Sequence, residues 1–165
     1  MTNTNHTLAA DPTDQAVPQA LTMQELFDRA VVGVIEQGEK SCNPRHGTCE
    51  YRSQSGLKCT VGHLISDEVY ATYAYGGYLD AFNYLEGKTL SEDIVRRALI
   101  TSVGLVDQRS IAMLGLLQEA HDDFAAPDVD GWFNRFCTSA KDVALVYALN
   151  LTALNEARSR SAVGA

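Results

Sequence analysis

CEYRSQSGLKCTVGHLISDEVY, residues 49–70, sets two cysteines, a histidine, an arginine, a lysine and the paired acids Asp67 and Glu68 in one short stretch. Its apolar residues Cys49, Tyr51, Leu57, Cys59 and Val61 alternate with Glu50, Arg52, Lys58 and Thr60, the period of two that marks a half-buried strand. The spacing predicts a β-hairpin. A type I turn over Ser53 to Gly56, with Gly56 left-handed, sets Ser53 opposite Leu57 and Tyr51 opposite Cys59. The odd-numbered positions then share a buried face, and Glu50, Arg52 and Lys58 share the solvent or pocket side. The cysteines begin with a structural explanation, because a free thiol packs as a small hydrophobe.

On both sides of this stretch the period lengthens to that of a helix. Downstream, Gly62 turns the chain and Ser66 caps a short helix to about Tyr75, with Asp67 and Glu68 favouring its positive end. Upstream, TMQE from Thr22 is a capping box, and Met23, Leu26, Phe27, Ala30, Val31, Val34 and Ile35 recur at three and four until Gly38. Residues 39–48 read as a loop. Gly76-Gly77 breaks the second helix, and residues 78–90 hold another short turn or helix. Ser91-Glu92-Asp93 caps a helix to Val103, and Asp107 caps one over Gln108 to Phe124. A final helical region from Asp128 to Arg158 carries Trp132, Phe136, Ala140 and Val143 on one face, with a break expected at Thr138-Ser139. The fold class expected is α+β, mostly helical, about five or six helices with one small β-hairpin. One globular domain spans 21–158, between a disordered tail at 1–20 and a disordered C-terminus at 159–165.

Composition narrows the function classes. A chain of 165 residues with 45% hydrophobic content buries one core. Its formal charge of −8 disfavours nucleic acid and anionic membrane surfaces, which are held mainly by Lys and Arg. No apolar run reaches the ~20 residues of a membrane span, and the N-terminus lacks the pattern of a secretory signal. A cytoplasmic location is expected, where the four cysteines stay reduced.

Three kinds of chemistry compete at the opening stretch. Zinc would have to be held by Cys42, Cys49, Cys59 and His63, but no two of these form the close C-x2-C pair usual in structural sites, so no metal or other cofactor is expected. Histidine acid–base work would fall to His63, with Asp67 four residues on, or to His121 in LLQEAHDD. On a helical wheel His121 flanks the apolar face, half-buried, with Gln118 further round, while Asp122 points elsewhere. The structural reading of each histidine is a hydrogen-bonded residue tying helix to hairpin. Arg52 and Lys58, with Glu50 beside them, form either a solvated strand face or a clamp for a phosphate or carboxylate. The run Tyr70, Tyr73, Tyr75, Tyr78, Phe82 and Tyr84 would stack on a ring or complete the core.

The pattern C-x-Y-R-x3-G-x-K-C-x-V-G-H-L-I-x-D-E-x-Y at Cys49 to Tyr70, with L-Q-x2-H-D at Leu117 to Asp122 and Trp132 beyond, resembles a family of small uncharacterised bacterial and phage or prophage proteins. The likeness covers roughly residues 22–146, and the segment from Ala71 to Tyr84 is longer than the family pattern. It implies no activity. The expectation is a small cytoplasmic binding or accessory protein, for which the resemblance implies a phage origin, with a polar pocket between the hairpin and the His121 helix. Candidate ligand contacts are Arg52, Lys58, His63, Asp67, Glu68, Gln118 and His121. The partner would be an anionic small molecule or a host protein. The alternatives are a hydrolase for a phosphorylated or nucleotide-like small molecule, and a protein–protein module without a small-molecule site.

Overall fold

The computed structural model describes residues 19–42, 49–74, 90–104, 107–123 and 129–163. Six helices stand in this part: α1 (Met23–Gln37), α2 (Asp67–Ala74), α3 (Leu90–Val103), α4 (Gln108–Asp122), α5 (Val129–Tyr147) and α6 (Thr152–Val163). The fold is mostly helical, and no single described helix is long and apolar enough to cross a membrane.

Local signals set the helix ends. Thr22 accepts from the Glu25 amide, the Glu25 carboxylate reaches back to the Thr22 amide at 2.7 Å, and Gly38 ends α1 in the left-handed region at φ 70°. Asp107 caps α4 through the Ser110 amide at 2.7 Å. The apolar stripe of α1, from Leu26 to Ile35, is buried against α4, α5 and α6, while α2 packs on α3. Around that stripe close Leu99, Ile111, Leu114, Leu117, Phe136, Ala140 and Leu154, giving a single core.

The expected hairpin is replaced by a loop. Among the described residues there is no strand, only isolated antiparallel bridges at Arg52↔Lys58 and Cys42↔Cys49. Ser53 donates its amide to the Leu57 carbonyl at 2.8 Å, Cys59 to the Tyr51 carbonyl at 3.2 Å, and Gly56 is left-handed at φ 85°. Two competitors stop a ladder from growing. On one side Ser41 takes the partner role: its carbonyl accepts from the Glu50 amide, and its hydroxyl lies 2.9 Å from both the Glu50 and the Leu57 carbonyl oxygens, which share its one proton. On the other side the chain winds into helical turns directly after Cys59, with the His63 amide on the Cys59 carbonyl. Gly62 sits at this winding because a Cβ there would lie 2.0 Å from the Tyr51 carbonyl oxygen. Thr60, expected on the polar side, is buried as a result.

Two further expectations change at the C-terminal end. α5 passes through Thr138-Ser139 without a break, since the Thr138 hydroxyl donates to the Asn134 carbonyl one turn back. The chain bends instead at Ala148, a left-handed residue at φ 56°, and the Asn150 side chain accepts from the Thr152 amide to start α6. Residues 159–163, expected to be disordered, continue α6, where Arg160 pairs with Glu36 of α1 at 2.7 Å. The N-terminal residues 1–18 and most of the tyrosine-rich run lie outside the described residues.

Candidate functional site

The predicted site residues fall into two groups, one open and one enclosed. The open group forms at the corner between the bridged loop and α2. Arg52 donates from Nη1 to Asp67 Oδ1 at 2.5 Å and from Nη2 to the Ile65 carbonyl at 2.7 Å, and its guanidinium lies 4.4 Å over the Tyr70 ring. Lys58 reaches the same Asp67 oxygen at 3.1 Å. The Asp67 side chain is 73% exposed, and the hydrogen bond from Arg52, then that from Lys58, holds its carboxyl below the usual range. Beside these residues lies a shallow depression of about 380 Å3, lined by Glu50, Arg52, Ser53, Gln54, Lys58 and Tyr70 among others. Glu68 is exposed one residue along α2.

The enclosed group sits where α4 ends. His121 has no solvent exposure, a correction to its expected half-buried place. Its Nδ1 lies 2.9 Å from Asp122 Oδ1, and its Nε2 accepts from the Ser41 amide at 3.3 Å. A helical wheel keeps His121 and Asp122 apart, but at the last turn of α4 Gln118 draws the Asp122 carboxylate back along the helix with a 2.9 Å bond. The other end of Gln118 accepts from the Thr60 hydroxyl at 2.6 Å and the Val61 amide at 3.3 Å, so one side chain ties α4 to the loop. Trp132 on α5 closes the group from behind. Its indole N–H donates to the His121 carbonyl at 2.8 Å, its ring meets the imidazole edge-on at 5.6 Å, and it stacks on Phe136. Burial holds the His121 pKa down against the opposing pull of Asp122.

His63 belongs to neither group as a ligand contact. Its ring rests against α1 where Gly33 leaves room, since a Cβ at Gly33 would be 2.4 Å from Nδ1. Burial, and then the charge of Lys58, depress its pKa to about 4, and its Nε2 is enclosed with no hydrogen-bond partner. His121 is fully buried and His63 packs against α1, so the two histidines do not share an open pocket with Arg52.

All four cysteines are free. Cys59 is buried and accepts the Gly62 amide, and burial pushes its thiol up to about 12. The sulfurs that do meet are those of Cys42 and Cys49, 3.2 Å apart above the end of α4. Their wide spacing in the chain gave no sign of this, because an antiparallel bridge rather than a short turn joins them. Compared with known proteins, the chain matches no family model, no curated protein and no solved structure.

Proposed function

We propose that the chain is a non-catalytic binding or accessory protein whose recognition face is the Arg52–Lys58–Tyr70 corner, and that it takes an acidic group of a small molecule or a partner protein. One observation carries this reading: two cations converge on a single oxygen of Asp67, a largely exposed side chain. A carboxylate held there from within the chain occupies the position an external carboxylate or phosphate would take. Tyr70 backs the guanidinium, restricting its rotamers, and the adjoining depression gives room for the rest of a ligand. The hydrolase alternative is disfavoured because the candidate general base His121 is enclosed with both ring nitrogens bonded.

The test exploits the internal competitor. Asp67→Asn frees Arg52 and Lys58 from a formal charge, so carboxylate and phosphate compounds should raise the melting temperature of this variant more than that of the parent chain. Arg52→Gln should abolish the shift in both backgrounds. A panel of nucleotides, dicarboxylates and acidic peptides that leaves the Asp67→Asn chain unmoved would remove the corner as a ligand site.

A further inference from the structure

The enclosed group holds chemistry that the binding corner does not use. Cys42 and Cys49 stand at the two ends of residues 43–48, their bridge brings the two sulfurs to 3.2 Å, and Cys49 is the one that lies beside His121 and Asp122 at the α4 terminus. One ligand atom each from Cys49, His121 and Asp122 lies within 4.8 Å of the others. Soft and hard donors have thus been collected from two distant segments at the edge of the core.

The hydrogen bonds around Asp122 assign the roles. Gln118 and His121 both bind its Oδ1, and neither of these bonds engages Oδ2. His121 accepts at Nε2 from an amide, so its single ring proton is on Nδ1 and points at Asp122. The imidazole is then an orienting partner of the carboxylate, the arrangement by which outer groups aim a metal ligand.

We propose that Cys42, Cys49 and Asp122 form a binding site for a thiophilic divalent cation of the zinc class, with His121 and Gln118 positioning the carboxylate. Two zinc–sulfur bonds of about 2.3 Å at a tetrahedral angle separate their sulfurs by about 3.8 Å. From the present 3.2 Å, small rotations of the two half-buried side chains reach that separation. Uptake of one cation forms two metal–sulfur bonds and one metal–oxygen bond and releases the two thiol protons to solvent. Three protein ligands leave a fourth position for water or an exogenous donor. Linear spacing argued against zinc because it measures ligands along the chain, whereas here a backbone bridge supplies the closeness.

Cobalt(II) is the direct probe, because thiolate ligation gives near-ultraviolet charge-transfer absorption and tetrahedral geometry gives intense visible bands. Titrating the full, reduced and metal-stripped chain should produce both signals with a break at one cobalt per chain, and zinc should erase them. Cys42→Ser and Cys49→Ser should each weaken the charge-transfer band, and the double variant should lose it. His121→Asn should lower affinity about 10–100-fold while leaving the visible band positions in place, as expected for a residue outside the ligand set. Should a serine variant fail to fold, alkylation of the native parent chain keeps the site testable: the half-buried Cys42 and Cys49 should be labelled without zinc and protected by it, while the buried Cys59 and Cys137 stay unlabelled in both cases. No thiolate–cobalt absorption from the reduced parent, labelling of Cys42 and Cys49 that zinc leaves unchanged, or a signal surviving the double variant would overturn the site. A pair that only forms a disulfide, and takes up neither metal when reduced, would overturn it as well.

Discussion

The two polar clusters use similar residue types and differ in what surrounds them. At the corner, Arg52, Lys58 and Asp67 meet in contact with water, and exchanging one partner for solvent costs little. Around His121, the same kinds of bonds are closed in by Trp132, Phe136 and α4, so each group left without a partner bears its full desolvation cost. The difference teaches where change is tolerated. The open cluster is free to trade Asp67 for a ligand, whereas the enclosed one fixes the loop on the core.

The largest effect expected separates the clusters by packing. Trp132→Ala and Tyr51→Ala should each lower stability by about 3–5 kcal/mol, measured by denaturant unfolding, because both side chains are buried. Values near those of surface substitutions would break the contrast.

Next comes a pH effect. The unfolded chain takes up a proton at His63 near pH 6.5, whereas the folded chain resists until about pH 4. Stability should therefore be fully present above about 6.5, fall as the pH drops from there to about 4, and gain no further slope from this residue below that. The loss should be about 2–3 kcal/mol, with partial exposure of the ring reducing the larger figure the shift alone implies. His63→Asn should flatten that limb of the stability curve. An unchanged curve would assign the slope to His121, whose pKa is also lowered by burial.

Gln118→Ala tests the enclosed hydrogen bonds with little loss of apolar contact. It leaves the Thr60 hydroxyl and the Val61 amide short of their acceptor, and should cost about 1–3 kcal/mol. At the small end, Lys58→Ala should move the melting temperature by no more than about 2–4 °C, and added salt should shrink even that. A larger shift for Lys58→Ala than for Gln118→Ala would invert the comparison.

Much of the helical layout was legible because its signals are local. The Thr22–Glu25 capping box, Gly38 and the Asp107 cap each act within one turn, so the sequence carries them whole. The alternation from Cys49 to Val61 correctly marked Tyr51, Cys59 and Val61 as buried, whereas Cys49 and Leu57, expected on the same face, are only half-buried. It did not reveal that Ser41 would claim the Glu50 backbone and that helical turns would start after Cys59, since these contacts come from outside the stretch or follow its end. The candidate residues Gln118 and His121 were visible as polar side chains on an apolar helix, but their partners Thr60 and Ser41 lie 58 and 80 residues away in the chain. The dyad of His121 and Asp122 was missed because a wheel assumes a continuing helix, and α4 stops there.

The bend at Ala148 has a consequence for the order in which the protein is made. It returns α6 onto α1, where the Gln24 side chain exchanges bonds of 3.1 and 2.8 Å with the Asn150 backbone across 126 residues. Among the described helices, the first to be translated, α1, thus waits for α6. Until Leu154 and Ala157 have been translated, α1 lacks a wall of its groove, and a nascent chain exposes an apolar stripe to chaperones while α2 to α5 are being made. Chains stalled before residue 150 should be cut by protease within α1, and chains extended past α6 should resist.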